Sequence, residues 1–188
     1  MTAVEHFESL YRGDPDPWGY RSSPYERAKY AATLDACGPG PFASALELGG
    51  SIGVFSALLA PRCRALVTVD FSPTAVRAAQ NALAGHPQAR AFVGEIPLDI
   101  PAGWFDLVVA SEVLYYLAPE ALTATLPALE ARMAPGARLV AVHWRRPGPE
   151  RPATAQEVHD LVGRQPWLEH VCAGPDDEYL LDAWERRP

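Results

Sequence analysis

The sequence is short of basic side chains, of sulfur and of long apolar runs, and each shortage removes a class of function. Lysines and arginines number 16 against 23 aspartates and glutamates, a formal net charge of −7 over 188 residues. No basic face is therefore on offer to a nucleic-acid backbone or an anionic membrane, and neither is expected as a partner. No stretch approaches the ~18 consecutive apolar residues of a membrane span. The opening MTAVEHFESLYRGDPDPWGY carries acids and aromatics where a secretory signal would carry a basic start and an apolar core. The three cysteines, Cys37, Cys63 and Cys172, form no C-x-x-C and fit neither a disulfide framework nor a zinc site, so no metal is expected. There is no internal repeat. A cytoplasmic protein is the plain expectation, folded as a single domain over 1–188, since nearly half its residues are apolar.

What is present is an alternation of strand and helix patterns, which predicts an α/β fold on a mostly parallel sheet. ASALELG reads as a first strand and GVFSALLA as the helix after it. ALVTVD is a second strand ending in Asp70. In SPTAVRAAQNALAG, Ser72 caps a helix, Pro73 takes its first position, and Val76, Ala79 and Leu83 repeat at helical spacing. ARAFVG and FDLVVAS are the third and fourth strands. A helix is expected from Pro119 to Met133, with Pro127 kinking it or starting a second segment. APGARLVAVHW is a turn feeding a fifth strand. After the loop RRPGPERPA and the short helix TAQEVHDLV, the runs WLEHVCA and EYLLDAWE read as two strands joined tightly through GPDD. Residues 1–40 read as a helical or looped cover holding a helix from about Ser23 or Pro24, 41–145 as a nucleoside-binding core, and 146–188 as a terminal helix and strand pair.

The first strand-to-helix turn, LELGGSIGVF, lets backbone approach a ligand closely, and the helix end beyond it offers N–H groups to an anion. It lacks the G-x-G-x-x-G spacing of dinucleotide enzymes, and Glu47 beside it would repel a diphosphate. The turn suits a ligand with positive charge and no phosphate, such as S-adenosylmethionine. Asp70, at the end of the second strand, stands where open α/β sheets hold ribose hydroxyls. Glu95, after the third strand, can accept from an adenine amino group, with the Ile96 backbone beside it. Singly, each acid is also readable as a solvated loop residue; in order, and with the glycine turn, they describe one nucleoside site.

At these residues the chain resembles the class I S-adenosylmethionine-dependent methyltransferases. Their E/D-x-G-x-G-x-G pattern falls on Glu47, Gly49, Ser51 and Gly53, with serine replacing the middle glycine. The likeness sharpens toward the NodS-type nodulation methyltransferases in DPDPWGYRSSPYERAKYAATL, ELGGSIGVF and SEVLYYL, which together span the first ~120 residues. The resemblance implies a Rossmann-like methyltransferase fold: a seven-stranded sheet, mostly parallel, with a C-terminal antiparallel hairpin and helices on both faces. It implies S-adenosylmethionine as cofactor, S-adenosylhomocysteine as product, and transfer to the nitrogen of an amino sugar or related small metabolite. Gly50, Phe71 and Ser111 complete the implied cofactor site, with Trp18 and Tyr25 covering it and Arg27 reaching the cofactor carboxylate. Equally, the aromatic leader could only fasten the first segment to the sheet.

Methyl transfer to an amine needs alignment, exclusion of water and a neutral nitrogen. Glu112 in SEVLYYL is a candidate to meet the incoming ammonium or the methionine end of the cofactor; alternatively it orients its loop. Tyr115 or Tyr116 can line an acceptor pocket, but adjacent residues point apart, so one is expected in the core. His143, ending the fifth strand, is a candidate base or an ordinary hydrogen-bonded histidine. His6, His86, His159 and His170 read as structural or exposed, and HWRR and ERRP as solvated surface. O-methylation, a catalytically silent S-adenosylmethionine-binding subunit, and a degenerate nicotinamide dehydrogenase are the competing functions.

Overall fold

A computed structural model describes residues 3–174 and 177–188. The turn expected over 174–177 lies partly outside the described residues, as do Met1 and Thr2 of the expected cover. The elements run α1 (Ala3–Gly13), α2 (Pro24–Cys37), β1 (Ala45–Leu48), α3 (Val54–Leu59), β2 (Leu66–Asp70), α4 (Pro73–Ala82) and β3 (Ala89–Val93). They continue through β4 (Phe105–Ser111), α5 (Pro119–Glu130), β5 (Met133–Trp144), α6 (Ala155–Gly163), β6 (Leu168–Ala173) and β7 (Tyr179–Arg186). The seven strands form one sheet in the order β3-β2-β1-β4-β5-β7-β6. β3 through β5 are parallel, while β7 lies antiparallel between β5 and β6. The fold is the Rossmann-like methyltransferase architecture that the alternation and resemblance led us to expect.

Strand alternation sorts the apolar residues onto two faces. Leu46, Leu48, Val108, Ala110, Leu139 and Ala141 join Leu126 and Leu129 of α5 and Val158 and Val162 of α6 on one side. Ala45, Leu107, Val109, Val140 and Val142 join Tyr30 of α2, Phe55 and Leu59 of α3, and Val76 and Ala79 of α4 on the other. β1 is buried along its whole length because it has strands on both edges and helices on both faces. Since β1 pairs with β2 on one side and β4 on the other, the strand order reverses there and a crevice opens at its carboxyl end.

Local signals behave as their chemistry requires. Ser23 caps α2 by accepting the Glu26 N–H at 3.3 Å, and Ser72 caps α4 by accepting the Ala75 N–H at 3.1 Å. Two boundaries differ from expectation. α5 runs through Pro127 unbroken and stops at Glu130; the proline forgoes a single bond, to the Thr123 carbonyl one turn back, and the helix continues past it. β5 starts at Met133, ahead of the APG turn, and absorbs that turn as a register irregularity, with Gly136 at φ +78°.

α1 is docked over the carboxyl edge of the sheet. Its Glu8 accepts the Ser72 hydroxyl at 2.6 Å and the Thr74 hydroxyl at the amino end of α4. Phe7 and Tyr11 of α1 pack with Ile52 and Ala75, against the partly buried Trp18, Tyr20, Phe71 and Tyr116.

Candidate functional site

The glycine turn follows β1 and alternates into left-handed backbone: Gly49 at φ +73°, Ser51 at +48° and Gly53 at +78°. A Cβ on Gly50 would stand 1.8 Å from Thr68 Oγ1 and 3.3 Å from Glu47 Oε2, so the turn lies directly on these two side chains. A Cβ on Gly53 would meet Ala79 Cα at 2.7 Å; that glycine serves the packing of α3 on α4. Ser51 occupies its strained conformation with two compensating bonds. Its N–H donates to Asp70 Oδ2 at 2.9 Å, and its hydroxyl pairs with Tyr11 OH at 2.6 Å.

Beyond the turn lies a cavity of about 220 Å³. The structure brings Gly49, Ser51, Asp70, Phe71, Glu95, Ile96, Ser111 and Glu112 together on its wall, with Trp18 at its edge. Phe7, Tyr11, Tyr20 and Tyr116, none of them singled out as cofactor residues in the sequence, complete its aromatic side. Asp70 is buried, and each oxygen takes a backbone N–H: Oδ2 from Ser51 and Oδ1 from Ser72, both at 2.9 Å. Burial raises its pKa, and these two N–H groups oppose the rise. Among the described residues, no lysine or arginine lines this cavity.

Glu47 does not line the cavity. It is 2% exposed, accepts the Ser56 hydroxyl, and reaches only a narrow crevice under Gly49, Gly50 and Ser51. Burial pushes its pKa to about 7, so it carries a proton for part of the time at neutral pH.

A second cavity, of about 260 Å³, adjoins the first; Trp18, Tyr20, Glu112 and Tyr116 line both. Its other walls include Tyr25, Glu26, Lys29, Tyr115, Trp144 and Arg151. Glu112 stands between the two at φ +55°. Oε1 accepts from Lys29 Nζ at 2.8 Å, Oε2 accepts the Trp144 N–H at 3.1 Å and the Tyr115 hydroxyl, and its own N–H donates to the Val142 carbonyl at 2.7 Å. Lys29 is 3% exposed and also pairs with Glu26 at 3.1 Å. Burial opposes its charge, but Glu112 and Glu26 outweigh that and raise its pKa, so a buried cation is fixed between two carboxylates. Glu26, with less compensation, has its pKa raised by burial. Of the adjacent tyrosines, Tyr115 packs in the core and Tyr116 lies half-buried between the cavities.

Further expected residues are not brought to the first cavity: Gly50 lines only the narrow crevice with Glu47, and Gly53, Tyr25, Arg27 and the candidate base His143 also lie off its wall. Tyr25 turns toward Tyr179 and the second cavity, because α2 begins there. Arg27 lies on the exposed side of α2, and its guanidinium is taken by the Ser22 carbonyl at 2.7 Å. His143 is fully buried and lines neither cavity, so it has no access to a ligand as a base. Its Nε2 accepts the Leu114 N–H at 3.2 Å, and its Nδ1 faces His159. Burial, His159, Lys29 and Arg151 together hold its pKa well below the ordinary histidine value. Lys29 and Glu26 were within reach of sequence reasoning as an i,i+3 pair in PYERAKY; Arg151, in an irregular loop, left no local signal.

The sequence matches the family model Nodulation protein S (NodS) over residues 9–145. Nodulation protein S of Rhizobium tropici is 34% identical over 127 residues, covering 66% of this chain and 53% of that protein. Nodulation protein S of Bradyrhizobium diazoefficiens is 35% identical over 120 residues, covering 62% of this chain and 57% of that protein. The chain thus spans little over half the length of these two relatives. The solved N-methyltransferase NodS from Bradyrhizobium japonicum WM9, in complex with S-adenosyl-L-homocysteine, superposes with a TM-score of 0.87 at 25% identity, covering 100% of both chains.

Proposed function

The chain belongs to the Nodulation protein S family, and from that premise we propose that it is an S-adenosylmethionine-dependent N-methyltransferase acting on a small amine. The observation that carries this reading is the pair of adjoining cavities at the carboxyl edge of the sheet, with the Glu112 carboxylate on the wall of both. When bound, S-adenosylmethionine supplies a methyl group on a sulfonium that leaves without acid assistance.

The first cavity has the donor and acceptor set for that cofactor. Each Asp70 oxygen has one backbone donor and keeps acceptor capacity for a ribose hydroxyl. Glu95 and Ile96, on the same wall, are assigned to the adenine, and Phe71 to its ring face. Ser111, Glu112 and the glycine turn are assigned to the amino-acid end. An acidic wall without lysine or arginine favours a cationic nucleoside over a diphosphate.

The second cavity is assigned to the acceptor. Its aromatic walls desolvate an ammonium, which lowers the pKa of the amine and favours the neutral nucleophile. Arg151 already lies over the Tyr115, Tyr116 and Trp144 rings and Lys29 over Tyr25. These fixed cations further disfavour a charged acceptor, while the rings suit the apolar face of a sugar. Glu112 already accepts three donors and keeps about one lone-pair direction for an acceptor N–H, which points the nitrogen toward the cofactor cavity. An amino-sugar nitrogen, terminal on an oligosaccharide, is the acceptor we propose, with activity in the cytoplasm; the three free cysteines agree with that compartment.

Calorimetry with S-adenosylhomocysteine tests the cofactor assignment: Asp70→Ala should weaken binding about 10- to 100-fold through loss of its charge-assisted bonds. Unchanged affinity would remove the ribose role. Transfer of labelled methyl to a panel of glucosamine-terminated oligosaccharides and simple amines tests the reaction itself; a protein that binds the cofactor but methylates none would favour a regulatory subunit.

A further inference from the structure

The end of β5 grips the segment 112–114 residue by residue. The Val142 carbonyl accepts the Glu112 N–H at 2.7 Å, and the Trp144 N–H reaches Glu112 Oε2 at 3.1 Å. Between them the side chain of His143 accepts the Leu114 N–H at 3.2 Å. Behind that imidazole runs a chain of polar groups across three elements. His143 Nδ1 lies 3.0 Å from His159 Nε2 on α6, His159 Nδ1 lies 2.7 Å from Asp182 Oδ2 on β7, and Asp182 Oδ1 lies 2.7 Å from His170 Nε2 on β6.

The proton positions in this chain follow from its first member. A backbone N–H only donates, so His143 Nε2 must be bare and the neutral ring carries its proton on Nδ1. That proton goes to His159 Nε2, which is then also bare, and the His159 proton on Nδ1 goes to Asp182. Every link pairs one donor with one acceptor. Burial disfavours the Asp182 charge, but the bonds from His159 and His170 outweigh it and hold its pKa below the usual carboxylate value. His170, whose side chain is half exposed, is the solvent end of the chain.

We infer that His143, oriented through His159 and Asp182, is a positioning residue of the proposed methyltransferase site: its bare Nε2 fixes the Leu114–Tyr116 turn and thereby sets Glu112 and Tyr116 at the junction of the two cavities. The inference rests on the methyltransferase reading of those cavities. It also gives the site an acid limit. A second proton on His143 would place an N–H against the Leu114 N–H and release the turn. The groups facing the ring are His159 from α6, Tyr115 from the turn itself, and the cations Lys29 from α2 and Arg151 from the 145–154 loop; Asp182 reaches it only through His159.

Two variants separate positioning from simple core packing. In His143→Gln the amide oxygen can take the place of Nε2; His143→Leu fills similar space and accepts nothing. Calorimetry with S-adenosylhomocysteine at pH 7.5 should find the Gln variant within about threefold of the parent and the Leu variant weakened about tenfold or more, because the unpaired Leu114 N–H lets the turn shift and carries Glu112 and Tyr116 off the cavity wall. Nitrogen-15 histidine spectra of the unsubstituted protein should show His143 and His159 both as neutral Nδ1–H tautomers. The inference is overturned if the Leu variant binds as the parent does, if the Gln variant is as weak as Leu, or if His143 carries its proton on Nε2. The spectra decide alone should the Leu variant fail to fold. Failure of the unsubstituted protein to bind S-adenosylhomocysteine would instead overturn the methyltransferase reading.

Discussion

Single residues here hold charges that burial opposes, and how each is compensated fixes its pH behaviour. Glu47 has only hydroxyl partners, and its pKa rises from 4.5 to about 7. The folded state therefore binds a proton that the unfolded state has released between these values, and this contribution to stability is full below about pH 4.5 and lost as pH rises through 7. Glu47→Gln, which keeps the Ser56 bond, should remove a penalty of up to about 3 kcal/mol at pH 8. Urea midpoints of both proteins at pH 5 and pH 8 measure it, the variant changing less between them. His143 works on the other limb. Its folded pKa is depressed, so its contribution is intact above the unfolded value of 6.5 and is lost as pH falls toward the folded one. Lys29 is compensated by two carboxylates, and Lys29→Met should cost about 3–5 kcal/mol by leaving the buried Glu26 and the partly buried Glu112 without their cation. Pairing it with Glu112→Gln should recover part of that in the same denaturation assay.

At the level of elements, the site is built from the carboxyl ends of parallel strands and the turns that leave them. The β1 turn lies so close to β2 that Gly50→Ala should destabilise by about 1–3 kcal/mol through overpacking against Thr68. The double variant Gly50→Ala/Thr68→Ala should regain most of it; thermal melts of the set are the check. Much of this architecture is legible in sequence. Apolar runs end in Asp70 and Ser111, Ser72-Pro73 opens a helix, and Glu47, Gly49 and Asp70 fall at strand ends that a parallel sheet must gather on one edge. What local pattern does not carry is contact across the strand order. Lys29 meets Glu112 83 residues away, and His143 meets Asp182 through His159, only because α2 crosses β5 and β7 inserts beside it. His143 was legible as a strand-end histidine, but the side of the strand it faced was not. Arg27 failed for the same reason in helical form, since one residue's rotation on α2 separates the exposed face from the buried Glu26 and Lys29.

Over the whole molecule, two apolar layers sandwich the sheet, while α1 belongs to neither and closes the carboxyl edge through Phe7, Tyr11 and Glu8. Removing residues 1–13 should leave the sheet folded, by circular dichroism, yet weaken S-adenosylhomocysteine binding about tenfold or more, since two ring walls of the first cavity are lost. Equal affinity in the truncated chain would make α1 a passenger. The same closure has an optical corollary. Trp18 stacks on Tyr20 with centroids 5.6 Å apart and forms part of the partition between the chambers, so the emission of one indole ought to register filling from either side. Once the other tryptophans are masked, the order in which the proposed cofactor and amine arrive becomes something to be watched in real time, with no label attached.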